Sequence, residues 1–335
     1  MQRQTSTSSQ YKPELDGLRT IAIILTVLAH TGHFTSYSVY GVDIFFVLSG
    51  YFISDVFIER KLSVKDFIVN RFARLYPLIL LYSIIALLFS LRFRTPGALG
   101  GSIASLFMVK NFQGSDGLFG HFWSLSAEFQ FYLLVAILVA ALGHSAVYFF
   151  TAPVMVYILI NIAFFQSSFT FADPAVFSNY NQLLGRPCEI WLGIFAFYLC
   201  RRKIPRYWIP VGISFFLSIT FFILTCNPFW IALSTLFVIC YLDIQEDGFL
   251  SQILGSSIMR TIGMLSFSIY IWHLLIVNIY EVTYIHLYRR GPVNTLGSFL
   301  LVLVVSTLVG YFSYKKFEMP VKARLLTKFR SARNS

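Results

Sequence analysis

The chain has 335 residues, of which 57% are hydrophobic and 12% charged, with a mean hydropathy of +0.70 and a formal net charge of +11. Those figures exclude a soluble globular domain and predict a membrane protein. The surplus of positive charge then reads as a topology signal and an attraction for anionic lipid, and it does not call for nucleic acid as a partner.

The opening "MQRQTSTSSQ" has no apolar core before Tyr11, so no cleavable signal peptide is expected there. Apolar stretches near bilayer length follow at about 18–34, 40–58, 75–91, 122–142, 146–165, 187–200, 207–224, 229–242, 262–284 and 295–314. The stretch from Ser102 to Phe112 is too short to span and reads as a re-entrant or interfacial helix. Ten spans predict an all-α polytopic bundle with both termini on one side of the membrane. All of the 26 Lys and Arg residues except Arg92, Arg94, Lys110, Arg186, Arg289 and Arg290 fall on that side, which makes it cytoplasmic. One membrane domain, residues 15–316, is thus expected between a cytoplasmic tail, 1–14, and a basic cytoplasmic tail, 317–335. Cys188, Cys200, Cys226 and Cys240 lie in or beside apolar spans without CxxC spacing, so neither a disulfide framework nor a metal site is expected.

Ionisable residues inside a bilayer are costly, and each is a candidate for a site. Arg19 and His30 are eleven residues apart, which returns to nearly the same face of a helix about 16 Å further along its axis. Arg19 reads either as a snorkelling anchor or as a functional cation. His30 lies well inside the span, where a lone imidazole gains nothing from lipid. If the first two spans form an antiparallel pair turning near Tyr37, Asp43 comes to the depth of His30 and would orient the ring; its other reading is a helix cap. In "GHFWSLSAEFQFYLL" the spacing of three, four and seven puts His121, Ser124 and Glu128 on one face, with Glu128 again expected near the level of His30. Arg186 and Glu189 stand three apart at the outer end of the sixth span, either as an ion pair or as the frame of a cavity. In the ninth span Tyr270 and His273 are one turn apart. On the inner face, the basic amphipathic stretch "RKLSVKDFIVNRFARLYP" ends with Arg71 and Arg74, which with Arg19 suit either anionic lipid or the phosphates of a soluble ligand. Neither GxxxxGK[ST] nor GxGxxG is present, which disfavours a nucleotide-driven pump.

Taken in order, "ELDGLRTIAIILTVLAH", "GVDIFFVLSGYFIS", "RFARLYP", "FWSLSAEFQFY", "RPCEIWLG" and "SFSIYIWHLL" resemble the motif blocks of the integral-membrane acyltransferase 3 family over nearly the whole chain. The family's first-helix arginine and histidine correspond to Arg19 and His30. Where members commonly read WSLSxEEQFY, Glu128 matches the first acidic position and Phe129 replaces the second. The resemblance implies transfer of an acetyl or other short acyl group from acyl-CoA, with no metal, to an extracytoplasmic glycan such as O-antigen or exopolysaccharide. It further implies a multi-pass protein of the bacterial inner membrane, of the stand-alone type, working alone or as a homodimer. On that reading Arg19, Arg71 and Arg74 bind acetyl-CoA, and His30 is the base or acyl carrier, assisted by Asp43 or Glu128. The acceptor then meets Ser124, Arg186, Glu189 and His273. A secondary transporter of an anion, an acyl group or a lipid-linked sugar is the alternative, although no inverted repeat relates the two halves. A purely structural subunit fits poorly with so much intramembrane charge.

Overall fold

A computed structural model describes residues 12–31, 40–94, 96–113, 117–154, 156, 158, 188–204, 208–225, 227–245, 247–288 and 296–334, and among them every regular element is a helix. Helix α1 (Pro13–His30) begins with a proline where no amide hydrogen bond is lost, and Glu14 and Asp16 sit at the positive end of its dipole. Helix α2 (Gly41–Ser54) continues through a π-turn, Asp55–Glu59. Ser63 caps α3 (Val64–Phe93), accepting from the Asp66 amide at 3.1 Å. The basic segment expected ahead of the third span is therefore continuous with that span, and the helix runs straight through Pro77.

A short helix, α4 (Ala98–Leu106), and a 3-10 turn, Lys110–Phe112, occupy the segment expected to be too short to cross. Helix α5 (Phe122–Leu142) has the bounds expected from sequence. The stretch expected as the fifth span opens as a 3-10 turn, His144–Thr151, and from residue 159 onward it lies outside the described residues. Then come α6 (Glu189–Arg201), α7 (Trp208–Thr225), α8 (Pro228–Ile244) capped by Asn227, α9 (Phe249–Leu254), α10 (Ser257–Tyr288) and α11 (Leu296–Ser313). A π-turn, Tyr314–Glu318, leads into α12 (Met319–Asn334), so much of the expected basic tail is an ordered helix.

Among the described residues, five helical stretches are long and apolar enough to cross a bilayer: Gly41–Glu59, Val64–Phe93, Phe122–Leu142, Ser257–Ile285 and Leu296–Ser331. Ile209–Leu224 and Pro228–Ile244 are shorter apolar helices, and α1 has Glu14, Asp16 and Arg19 in its first half. Leu80, Ile84, Leu88 and Leu91 form an exposed apolar stripe on α3, as Leu300, Val304 and Leu308 do on α11. Such stripes suit lipid rather than water.

Helix α1 packs against α10 and α2, α2 against α6, α7 against α8, α10 against α11, and α12 along α3. The α2–α6 crossing depends on two glycines that let the backbones touch. A Cβ at Gly50 would collide with the Ile190 carbonyl, and one at Gly193 with the Val47 carbonyl. Replacing Gly193 with Ala is expected to cost about 1–3 kcal/mol by overpacking. Gly212→Ala, whose Cβ meets nothing within 4 Å, is the matched control. Thermal unfolding in detergent checks this: Gly193→Ala should melt earlier than wild type and Gly212→Ala should not.

Candidate active site

The site begins with three arginines brought together by α1 and α3. Arg19 donates from Nη1 to Asp16 Oδ1 at 2.7 Å, and its guanidinium lies 4.4 Å from the centre of the Phe52 ring. Arg71 lies 4.6 Å from the ring centre of Tyr132 and 5.2 Å from that of Phe67, and Arg74 lies 5.7 Å from that of Phe267. Aromatic faces hold a guanidinium in place without cancelling its charge. Neither Arg71 nor Arg74 forms an ion pair among the described residues.

All three arginines line a cavity of about 790 Å³, and all three also line a narrow slot of about 90 Å³. The slot leads from the arginines past Ser49, Glu128 and Tyr132 to Ser124 and Tyr270. Glu128 accepts hydrogen bonds from Ser49 Oγ and, at 2.5 Å, from Tyr132 OH. Ser124 Oγ lies 2.6 Å from Tyr270 OH, which itself donates to the His121 carbonyl.

Beyond Tyr270 three imidazoles meet. The ring centre of His273 lies 4.9 Å from that of His30 and 5.2 Å from that of His121, and Tyr270 is 5.3 Å from His121. His30 Nδ1 is 2.9 Å from the Thr26 carbonyl, and His273 Nδ1 is 2.6 Å from the Tyr270 carbonyl. A carbonyl only accepts, so in both rings Nδ1 carries the hydrogen and Nε2 keeps its lone pair. His273 Nε2 and both ring nitrogens of His121 are buried without a hydrogen-bond partner among the described residues. His30 alone of the three keeps part of its surface accessible.

The residues singled out from sequence fall into groups. Arg19, Arg71 and Arg74 share one cavity, Glu128 and Ser124 line the slot, and His273 meets His30 edge-on. Glu128 is not level with His30. The α5 residue in the histidine cluster is His121, and Glu128 lies seven residues on, about 10 Å toward the arginines. Asp43 is wholly buried in the first turn of α2, but His30 Nδ1 turns to the carbonyl of its own helix rather than to that carboxylate. Glu189 is buried at the start of α6, and Arg186 lies outside the described residues.

Sequence reasoning passed over Ser49 and Tyr132 and gave no role to His121 or Tyr270. The signals were present for two of them, since His121 shares a face with Ser124 and Tyr270 is one turn from His273. Among the described residues no group of three or more His, Cys, Asp or Glu is arranged to hold a metal ion.

The profile of the acyltransferase 3 family, described as an acyltransferase domain, matches residues 12–315. Over 366 residues the chain is 26% identical to the O-acetyltransferase OatA of Staphylococcus aureus, a match covering 95% of this chain and 58% of that protein. Over 380 residues it is 27% identical to the peptidoglycan O-acetyltransferase OatA of Listeria monocytogenes, covering 96% of this chain and 57% of that protein. The chain thus spans under two thirds of the length of these relatives. No solved structure matches it.

The difference in exposure makes a prediction. Brief treatment with diethyl pyrocarbonate should modify His30 before His121 or His273, as read by peptide mass spectrometry. Equal or earlier modification of the two buried rings would contradict the arrangement.

Proposed function

The chain belongs to the acyltransferase 3 family, and we propose that it is a multi-pass membrane O-acetyltransferase. It takes an acetyl group from acetyl-CoA at the cytoplasmic face and transfers it to a hydroxyl of an extracytoplasmic glycan. The observation that carries this reading is the continuity of the two cavities: three cations share a roomy mouth with a narrow slot, and the slot ends at Tyr270, whose ring packs on His273, which in turn packs on His30. A coenzyme A thioester has the same layout, with phosphates at one end, a thin flexible arm, and the reactive carbonyl at the other end.

The orientation follows the charge distribution, with ten spans and both termini cytoplasmic. Two ion pairs support it by joining ends of helices that should share a side. Lys12 ahead of α1 meets Asp243 near the end of α8 at 2.5 Å, and Arg201 at the end of α6 meets Glu59 at the end of the α2 π-turn. On this reading the arginine mouth opens to the cytosol and the histidines lie toward the outer half of the bilayer. The protein then resides in the cytoplasmic membrane.

The chemistry needs one base and one polarised carbonyl. Nε2 of His30 accepts the proton of the acceptor hydroxyl, whose oxygen attacks the thioester carbonyl. The carbon–sulfur bond breaks and the thiolate leaves with coenzyme A, while the acetyl group stays on the sugar oxygen. His273 packs against His30 and holds it in position, and the Thr26 carbonyl keeps its hydrogen on Nδ1. At the end of the slot the Tyr270 hydrogen is taken by the His121 carbonyl, so the Ser124 hydroxyl, on turning from Tyr270, is the candidate donor to the developing oxyanion. Peptidoglycan is the first acceptor to test, because the Listeria relative is a peptidoglycan O-acetyltransferase. O-antigen and exopolysaccharide are the next.

The test is label transfer in proteoliposomes, with labelled acetyl-CoA on the cytoplasmic side and glycan acceptors on the other. His30→Ala should lower transfer by about 10²-fold or more, the usual scale of a lost general base. Arg71→Ala should chiefly raise the KM for acetyl-CoA. Undiminished transfer by His30→Ala would overturn the mechanism. Uptake of a solute with no label on any glycan would turn the reading to a transporter.

A further inference from the structure

The large cavity has one wall made by the end of the chain. Glu318, buried in the π-turn that follows α11, accepts from Ser268 Oγ on α10 at 2.6 Å. That bond fixes where α12 leaves the bundle, and α12 then lies along α3, the helix that carries Arg71 and Arg74. Lys322 is four residues after Glu318, about one turn on, and returns to the same side. It lines the cavity together with Glu318 and Met319.

The charges around this cavity are sorted. Lys12 is paired with Asp243, Arg19 with Asp16, Arg60 with Asp55 and Arg201 with Glu59. Arg71, Arg74 and Lys322 form no ion pair among the described residues; Lys322 is near enough to both arginines to be repelled by them, and the Glu318 carboxylate is near enough to Arg74 and Lys322 to attract both. One carboxylate, Glu318, stands among three cations partly withdrawn from water, which leaves an excess of positive charge that a further anion would relieve. Their positions also differ. Arg71 and Arg74 line both the cavity and the slot, whereas Lys322 lines the cavity alone. With the donor's thin arm in the slot, the diphosphate next to that arm falls to the arginines, and a phosphate further from the arm falls to Lys322.

We propose that Lys322, carried by the C-terminal helix, contacts the ribose 3′-phosphate of the coenzyme A donor and is the residue that selects for it. This rests on the donor reading of the cavity given above. Glu318 is a positioning residue: its bond to Ser268 sets the departure of α12 and so delivers the lysine.

The experiment is calorimetric binding of coenzyme A and of 3′-dephospho-coenzyme A to the full chain in nanodiscs, for wild type, Lys322→Ala and Lys322→Arg. Wild type should favour coenzyme A by about tenfold, the lower range for one hydrogen bond to a charged group. Lys322→Ala should lose most of that preference while binding the dephospho compound as wild type does, and Lys322→Arg should keep it. If Lys322→Ala retains the preference, or weakens both compounds alike, the assignment is wrong. Equal binding of both compounds by wild type overturns the assignment and leaves the donor site standing. Binding of neither overturns the donor reading, and the assignment with it.

Discussion

An arginine within an apolar bundle must keep access to water or find a partner for its charge, and that constraint organises this protein. Arg19 has Asp16 one turn before it, yet among the described residues Arg71 and Arg74 form no ion pair and rest on aromatic faces. A cation–π contact steers a guanidinium while leaving its charge available. The bundle answers by leaving open volume where the three charges converge, and that volume narrows into the slot. Helices α1, α2, α3, α5 and α10 are arranged around this space, so their close packing and the site have one cause. The glycine contact between α2 and α6 belongs to the same economy, since it braces from outside a helix whose inner face must stay partly open.

The other end of the slot is governed by hydrogen-bond bookkeeping rather than charge. Two imidazoles are oriented by backbone carbonyls of their own helices, which places a lone pair on Nε2 of each without any carboxylate. This differs from a histidine paired with an acid, where the partner raises the basicity of the ring. Here His273 and His121 are buried supports, and His30 is the ring with an accessible surface. Glu128 stands apart, midway along the slot, accepting from the hydroxyls of Ser49 and Tyr132. It makes that stretch of wall polar where the arm of a thioester donor would pass.

Much of this was legible before any coordinates. The bounds of α5, the shared face of Arg19 and His30, and the pairing of Arg71 with Arg74 one turn apart all follow from period and hydropathy. What escaped was contact between elements. Periodicity shows which residues share a face, but not which helix that face meets, so His273 and His121 could not be brought to His30 from spacing alone. Glu128 was placed too near His30 because depth was counted from the start of the span, whereas His121, at the very entry of α5, is the residue that meets the cluster. The helix at the end of the chain was hidden for a different reason. Its sequence is basic and only sparsely apolar, and its position depends on one buried carboxylate finding a serine on α10.

The most direct measurement is an electron cryomicroscopy structure of the chain in nanodiscs with a non-hydrolysable acetyl-CoA analogue. The phosphates should lie among Arg19, Arg71 and Arg74, the arm should fill the slot past Glu128, and the acyl carbon should face the Tyr270 and His30 end. An analogue bound outside the cavity, or with its acyl end pointing away from the histidines, would contradict the central claim that one path runs from the arginines to Tyr270 at the edge of the histidine cluster.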